Sequence, residues 1–295
     1  MSVELDPGYP SASYSPHFAT FSTFIDSTIM PIKQLIKRAV PAPVLELNRR
    51  IRNHPHIQAR REARVVAERL RGLQQRMHLS QVGQDYWVYG EVFNEKRRGF
   101  FVDVGAHDGV NLSNTYLLES RYDWKGICIE AHPQTFRVLQ ENRRAACVNA
   151  CIDCVEETVL FADRGLLGGI VSADCDNRFP ADGETFELST TTLARVLDDL
   201  HAPEIIDYLS MDIEGAEERA LSGFPFDRYC FTCMTIERPS TVVRDLLRAH
   251  GYILVKEFPG LDCFYVHQSF SGQYLNNAMA FYQKHLVLKE PGRTE

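Results

Sequence analysis

The amino-acid sequence predicts an α/β protein built on a doubly wound, mostly parallel sheet. From residue 80 onward, apolar runs of strand length alternate with stretches of helical pattern, an order typical of strands and helices wound on one sheet. Several runs are continuously apolar, as expected of strands buried on both faces. Four runs end in acidic residues, which suggests a polar site along one edge of the sheet.

The first half of the sheet is predicted from short apolar runs separated by turn residues. Its elements are a strand over 100–104, a helix over 112–120, a strand over 126–129, a helix from Pro133, strands over 147–152 and 158–161, and an acidic, glycine-containing loop over 163–187. Proline favours the first position of a helix, so Pro133 marks where the second helix begins.

The second half repeats the alternation. Its elements are a helix over 191–200, a strand over 206–211, a helix over 215–221, a strand over 231–236, a helix over 240–250, strands over 252–255 and 263–266, and a helix over 275–285. No internal repeat is found, so this pattern describes one sheet rather than an array of units.

The chain divides into four predicted segments. Residues 1–43 form a Ser-, Thr- and Pro-rich lead that we expect to be poorly ordered, and 44–79 form a basic helical extension. Residues 80–267 form the α/β domain, and 268–295 form a C-terminal helix and tail. A length of 295 residues suits one large domain with an extension.

Composition places the chain among ordinary globular proteins. Hydrophobic residues make up 44% and charged residues 24%, both usual values. No run of 18 apolar residues occurs, so no membrane span is expected. The first residues lack the basic start and apolar core of a signal peptide. We therefore predict a cytoplasmic protein.

Charge is unevenly distributed. Residues 31–76 hold twelve Lys and Arg against three Glu, a net charge of +9, which leaves −16 for the rest of the chain. Such a segment can bind nucleic acid or a membrane surface, but Val66, Leu70, Leu73 and Met77 share one helical face. We favour a solvated helix that packs on the acidic body, and expect no nucleic-acid partner.

Eight cysteines include two Cys-x-x-Cys pairs, Cys151 with Cys154 and Cys230 with Cys233. The 75 residues between the pairs far exceed the spacing of a compact zinc module. Both pairs lie in or beside apolar runs, and free cysteine is often buried. We interpret them as structural thiols and predict no metal there.

The stretch 99–109 carries the strongest functional signal. The apolar strand ends in a turn with Gly105 and Gly109, and Asp103 precedes the turn. Glycine permits backbone angles and close approaches that a Cβ would block. The spacing differs from the Gly-x-Gly-x-x-Gly of dinucleotide sites and suits a ligand with an amino-acid head and no phosphate, namely S-adenosylmethionine (SAM).

Three other strands end in acids at the same predicted edge: Glu130, Asp212 and Glu237. In doubly wound sheets, ligands bind at the carboxyl ends of the strands. Glu130 follows Gly109 by 21 residues, the distance at which an acid meets ribose hydroxyls in nucleoside-binding sheets. One acid can be a turn former or cap, but four on one edge indicate a site.

Several blocks, in this order, resemble the FkbM-type SAM-dependent methyltransferases. They are Ser80-Gln-x-Gly-Gln-Asp85, Phe101-Val-Asp-Val-Gly-Ala-x-Asp-Gly109, Ser113-Asn-Thr115, Ile127-Cys-Ile-Glu130 and Leu209-Ser-Met-Asp-Ile-Glu-Gly-Ala-Glu217. The resemblance covers about residues 80–267. One departure is Ala131-His132 after Glu130, where the family usually has Glu-Pro.

The resemblance implies a class I methyltransferase fold: seven strands, the last antiparallel, with SAM across the first half. It also implies O-methylation of a hydroxyl on a sugar, glycan or secondary metabolite. The implied cofactor-binding residues are Gln84, Asp85, Asp103, Gly105, Gly109, Ser113, Asn114, Thr115 and Glu130. Glu130 would bind ribose, and Gln84 and Asp85 would close the cofactor from the N-terminal side.

A hydroxyl acceptor needs a group that removes its proton. Asp212 is the first candidate, followed by Glu214 and Glu237, and His107 in the glycine turn could reach cofactor or substrate. Asp212 could instead cap the helix predicted at 215–221. Asp212 and Glu214 could also hold a divalent metal, although we predict none.

Two other function classes compete with a methyltransferase. A non-catalytic binding or scaffold protein on the same fold would account for the basic extension, but the glycine turn and the acids are intact. An NAD-dependent oxidoreductase would need the middle glycine that the turn lacks. The expected partner is a small-molecule or glycan acceptor, and the sequence indicates no oligomeric state.

Overall fold

The computed structural model describes residues 79–177 and 185–286. The predicted lead, nearly all of the basic extension and the end of the tail lie outside these ranges. Eleven strands are described: β1 Phe100–Val104, β2 Lys125–Glu130, β3 Ala146–Asn149, β4 Cys151–Ile152, β5 Thr158–Ala162, β6 Gly169–Ile170, β7 Thr185–Thr191, β8 Ile205–Met211, β9 Cys230–Glu237, β10 Tyr252–Glu257 and β11 Asp262–His267.

Seven α-helices accompany the strands in the described residues: α1 Gln84–Tyr86, α2 Tyr116–Tyr122, α3 Pro133–Asn142, α4 Leu193–Asp199, α5 Glu217–Leu221, α6 Thr241–Ala249 and α7 Ser271–Leu286. A π-helical stretch, Trp87–Val92, continues α1. None of these helices combines the length with the apolar character that crossing a bilayer would require.

The main sheet has seven strands in the order β10-β11-β9-β8-β1-β2-β3. β11 runs antiparallel to both neighbours, and the other neighbouring pairs are parallel. Val104 pairs with Ile129 on one side and Met211 on the other. The loops that follow β1, β2 and β8 therefore leave the sheet at the same edge, as the acids at the strand ends predicted.

Helices cover both faces of this sheet, which confirms the predicted doubly wound architecture. Val102 and Val104 pack in a buried cluster with Leu197 of α4 and Leu247 of α6. Phe101 points to the opposite face, with residues of α1, α2, α3 and α7. The alternation follows from strand geometry, in which successive side chains point to opposite faces.

The helices begin where local capping dictates. Pro133 is the first residue of α3, as predicted, and His132 is its N-cap. The predicted helix over 112–120 begins only at Tyr116, because Leu112 has a left-handed φ of 55° and the Ser113 hydroxyl accepts the Tyr116 N–H. The π-helical stretch had no signal in the sequence pattern.

A second, four-stranded sheet in the order β4-β7-β5-β6 corrects two expectations. The predicted strand over 147–152 is two strands, since β3 pairs with β2 while β4 pairs with β7. β7 lies where the prediction had the end of a loop and the start of a helix. Its Phe186 and Leu188 alternate with polar residues, the period of a half-buried strand, and both pack on a small apolar cluster.

Candidate functional site

A cavity that is partly open to solvent lies at the carboxyl edge of the main sheet. The ends of β1, β2 and β8 form one wall through Gly105, Glu130 and Asp212. The second sheet and the loop before β6 form the other wall, with Phe161 and Leu166 among its residues. The cavity thus lies where the sequence predicted a ligand. Part of the predicted loop over 163–187 lines it, whereas the second sheet was not predicted.

The glycine turn is shaped by contacts within the protein. Gly105 has a φ of +84°, and a Cβ on it would overlap the Asp212 carbonyl oxygen. Gly109 has a φ of +79°, and a Cβ there would come within 2.6 Å of atoms of Leu139 and Arg143. Gly105 lines the cavity and Gly109 does not. The two glycines therefore let β8 and α3 approach the turn.

Glu130 is the carboxylate best placed for ribose. It lines the cavity and is 8% exposed. Its two oxygens accept backbone N–H groups from His107 at 2.9 Å and from His132 at 2.8 Å. Burial raises the pKa of Glu130, while the two N–H groups oppose that rise. Each oxygen retains a lone pair, so the carboxylate can still accept ligand hydroxyls.

Four predicted cofactor residues belong to a polar network around Arg143, outside the cavity lining. The Thr115 hydroxyl donates to Asp103 at 2.6 Å, and Arg143 donates to the Thr115 hydroxyl at 2.9 Å and to the Gly109 carbonyl at 3.1 Å. Ser113 lies 3.4 Å from the same guanidinium. Burial raises the pKa of Asp103. The network holds the glycine turn against the start of α2.

Asn114 lies next to residues of that network in the chain but makes its hydrogen bond elsewhere. Its amide nitrogen donates to the Ser210 hydroxyl at 3.0 Å. Its Oδ1 is buried, with no hydrogen-bond partner among the described residues. A buried acceptor without a partner is costly, so this oxygen suits a ligand that brings a donor, such as an amino group.

Gln84 and Asp85 lie outside the cavity lining as well. Asp85 accepts hydrogen bonds from the Leu79 N–H at 2.7 Å and from the Ser80 hydroxyl at 2.5 Å. Gln84 donates to the Asp262 carboxylate at the start of β11. Both side chains thus organise residues 79–86, and Gln84 joins that segment to the acidic edge of the sheet.

The ends of β8, β9 and β11 bring four carboxylates together. Oxygens of Asp212, Glu214 and Glu237 lie within 4.8 Å of one another, a spacing that a cation could bridge, and Asp262 pairs in register with Glu237. Burial raises the pKa of Asp212 well above its ordinary value, and the negative charge of Glu237 adds to the rise. Burial also raises the pKa of Asp262 to about 6.

Asp212 does not cap a helix, contrary to the alternative considered from the sequence. α5 begins at Glu217 with Ala216 as its N-cap and no side-chain cap. Glu217 instead accepts the Ile213 N–H at 2.9 Å, and burial raises its pKa to about 7. Asp212 and Glu214 line the cavity, whereas Glu237 does not.

Arg238 is a residue that the sequence interpretation missed. Its Nη2 atom lies 2.6 Å from Asp176, 2.9 Å from Glu214 and 2.9 Å from Glu237. Its φ of 37° is left-handed, which is uncommon for a long side chain. Its position directly after an acid at a strand end was the one available signal. It supplies the positive charge of the acidic cluster.

His132 connects the two walls of the cavity. Its Nδ1 accepts the Thr135 N–H at 3.3 Å, and its Nε2 lies 3.2 Å from Asp163. Its ring contacts Phe186 edge-on at 5.3 Å. The histidine thus caps α3 and forms part of an aromatic wall.

The two cysteine pairs lie in different parts of the fold. Cys151 is buried in β4 and Cys154 is exposed, whereas Cys230 and Cys233 lie in β9. All eight cysteines have free thiols, and no cysteine belongs to a group with metal-ligand spacing in the described residues.

The residues around the cavity fit SAM. Glu130 offers a carboxylate for ribose hydroxyls, and Ile152, Phe161 and Ile170 give an apolar wall for a purine ring. Asn114, whose Oδ1 is unpaired, is not among the residues that line the cavity. The lining residues thus match the nucleoside part of SAM.

The family described as "Methyltransferase FkbM domain" matches residues 103–254 of the chain. The match begins at Asp103 in β1 and ends in β10, so it spans the ends of the strands that line the cavity. No curated protein matches the sequence.

Solved structures of several methyltransferases are similar at low identity. A METTL16 methyltransferase domain is 12% identical, with 69% of this chain and 79% of that chain covered and a TM-score of 0.40. The N-terminal domain of human METTL16 in complex with SAH is 12% identical, at 69% and 81% coverage and a TM-score of 0.36. Precorrin-6y C5,15-methyltransferase from Geobacter metallireducens is 12% identical, at 64% and 89% coverage and a TM-score of 0.35.

Proposed function

The chain belongs to the FkbM methyltransferase family, and from this premise we propose that it methylates a hydroxyl group of a sugar, glycan or secondary metabolite. The methyl donor is SAM. The observation that carries the proposal is the cavity at the strand ends, which is lined by the Glu130 carboxylate and by the Asp212 carboxylate. In this proposal Glu130 binds the ribose and Asp212 accepts the proton.

Bound SAM would supply an activated sulfonium methyl group, so the protein has to orient the acceptor and remove its proton. Asp212 is the proposed base. Its raised pKa, caused by burial and then by Glu237, makes the ionised carboxylate a stronger proton acceptor, because base strength rises with pKa. Glu214 also lines the cavity and is the second candidate.

Glu237 and His107 take lesser places in this proposal. Glu237 contacts Arg238 and, in addition to burial, raises the pKa of Asp212. In this proposal it therefore influences the base without contacting the acceptor. His107 lies on the Glu130 side of the cavity, where its N–H donates to that carboxylate. The proton of the acceptor would therefore pass to the β8 end of the cavity rather than to the glycine turn.

We propose that the transfer needs no divalent metal. Arg238 already places one positive charge between Glu214 and Glu237 at 2.9 Å from each, where a metal ion would have to compete with it. Chelation with EDTA should leave the methylation rate unchanged. A rate that falls on chelation and returns with added Mg²⁺ would contradict this.

The competing functions are tested by ligand binding. A scaffold protein would not need SAM, and an oxidoreductase would bind NAD instead. A nucleic-acid role for the basic extension would require binding that weakens steeply with salt. The predicted cytoplasmic location, the domain boundaries and the expected lack of a nucleic-acid partner stay predictions.

The first experiment is calorimetric titration with SAM and S-adenosylhomocysteine. We expect binding to the full chain, and Glu130→Ala should weaken it about 10- to 100-fold, the cost of losing hydrogen bonds to a charged group. Asp103→Ala should also weaken binding, because Asp103 supports the glycine turn through Thr115. Asp245→Ala, at an exposed site on α6, is the control and should bind normally.

Absence of SAM and S-adenosylhomocysteine binding to folded protein would refute the proposal. If binding is found, labelled SAM should be screened against sugars, glycans and small hydroxylated metabolites. With an acceptor in hand, Asp212→Asn should lower kcat about 10²- to 10⁴-fold while leaving cofactor affinity within a few fold.

A further inference from the structure

His107 adopts a backbone conformation that glycine would adopt more easily. Its φ is 48°, between Gly105 and Gly109 in the turn at the cavity edge. Non-glycine residues with left-handed angles are uncommon, and they concentrate at functional sites. Its N–H donates to Glu130 at 2.9 Å, which holds the residue in this conformation with its side chain among those lining the cavity.

Two histidines donate backbone N–H groups to Glu130, but their rings differ. Both nitrogens of His132 are engaged, one with Thr135 and the other with Asp163. The His107 ring makes no hydrogen bond within the described residues. Its Nδ1 is buried and unpaired, and Asp108 Oδ1 lies 3.8 Å away, beyond hydrogen-bond distance.

The Asp108 carboxylate already accepts hydrogen bonds from residues of its own turn. Its Oδ1 accepts the N–H groups of Val110 at 2.9 Å and Asn111 at 2.8 Å, and its Oδ2 accepts the side-chain amide of Asn111. Asp108 therefore attracts the His107 ring without satisfying it. The imidazole beside Glu130 keeps its hydrogen-bonding capacity for a group outside the protein.

We propose that the His107 side chain binds the ribose of the S-adenosyl ligand together with Glu130; this rests on the proposed function. An ionised carboxylate can only accept hydrogen bonds, whereas each ribose hydroxyl both donates and accepts. Glu130 takes the hydroxyl protons, and the imidazole supplies an N–H donor to a hydroxyl oxygen. His107 is thus a cofactor-binding residue rather than the base that the sequence also allowed.

The test replaces His107 with glycine, which removes the imidazole and keeps a left-handed turn without strain. His201→Gly is the matched control, because His201 is exposed and has a φ of 51°. Calorimetry measures affinity for S-adenosylhomocysteine and for 5′-methylthioadenosine, which keeps the ribose and lacks the amino-acid part. Thermal melts accompany both variants.

We expect His107→Gly to weaken both ligands by the same factor, about 3- to 10-fold, as for one lost hydrogen bond. Its melting temperature should be no lower than that of the wild type, and His201→Gly should bind as the wild type does. Unchanged affinity in His107→Gly would overturn the proposal. So would a loss confined to S-adenosylhomocysteine, which would place the contact on the amino-acid part.

A lower melting temperature with weaker binding would also overturn it, because the turn rather than a contact would then be responsible. Failure of the proposed function looks different. In that case the wild-type protein itself would bind neither ligand, which would overturn the ribose contact together with the proposed function.

Discussion

Two arginines organise the two halves of the site in opposite ways. Arg143, under the glycine turn, has a side chain with 0% exposure and is surrounded by the Glu119 carboxylate and by neutral oxygens of Gly109, Ser113 and Thr115. Arg238, beside the acidic cluster, is 41% exposed and faces three carboxylates.

The difference separates a rigid half from an adjustable half. Around Arg143 nearly every polar group has a neutral or oppositely charged partner. The positions of these side chains on the cofactor side are therefore established when the protein folds. Around Arg238 negative charge exceeds positive charge, and the cluster responds to protonation. The proposed methyl transfer to a hydroxyl needs a fixed place for the donor and a base that changes its charge in each cycle.

The largest expected effect comes from breaking the rigid half. Arg143→Met removes the buried charge, which leaves Asp103 without a nearby cation and Glu119 with only the exposed Arg144. The free energy of unfolding should therefore fall by about 3–5 kcal/mol. Guanidinium unfolding measures it. Arg144→Met is the control, since Arg144 is 72% exposed and contacts the same Glu119; it should cost less than about 1 kcal/mol. Equal losses in Arg143→Met and Arg144→Met would show that the buried position of Arg143 adds no stability.

The next effect concerns pH and the adjustable half. Burial raises the pKa of Glu217, at the start of α5, to about 7 from an ordinary 4.5. Between these values the folded state binds more protons than the unfolded state, so stability falls as pH rises from about 4.5 to about 7. The full contribution is on the order of 3 kcal/mol.

Glu217→Gln mimics the protonated side chain and should flatten this pH dependence, leaving the variant more stable than the wild type at pH 8. Melting temperatures from pH 5 to pH 8 would show it. Glu218→Gln, next to it and exposed, should keep the wild-type slope. A slope of wild-type size in Glu217→Gln would show that other groups cause the pH dependence.

The smallest effect comes from Arg238 itself. Because the side chain is partly exposed, Arg238→Gln should cost about 1 kcal/mol or less at neutral pH. The cost should grow as pH rises, since Glu214, whose pKa burial raises, then becomes ionised without its partner. Unfolding at pH 5 and pH 8 tests this, and a cost that shrinks toward pH 8 would contradict it.

Much of the site was predictable because strand ends are local features. An apolar run that stops at an acid or a glycine marks the end of a buried strand, and this placed Gly105, Glu130 and Asp212 on one edge. Arg143 and Arg238 were not predictable in the same way. Their partners lie up to 62 residues away in the chain, as Asp176 does from Arg238, and no local pattern reports such contacts.

The sequence alone determined the order of the strands and helices of the main sheet, the edge at which the cavity-lining strands end and the kind of methyl donor. These follow from hydrophobic periodicity and from the residues at strand ends, which are local features of the chain. The tertiary structure decided which side chains face the cavity. It turned Asp103, Ser113 and Thr115 toward Arg143, placed the second sheet over the cavity and left the His107 ring unpaired beside Glu130. Those outcomes depend on packing between distant segments, where burial sets the cost of every unpaired polar group.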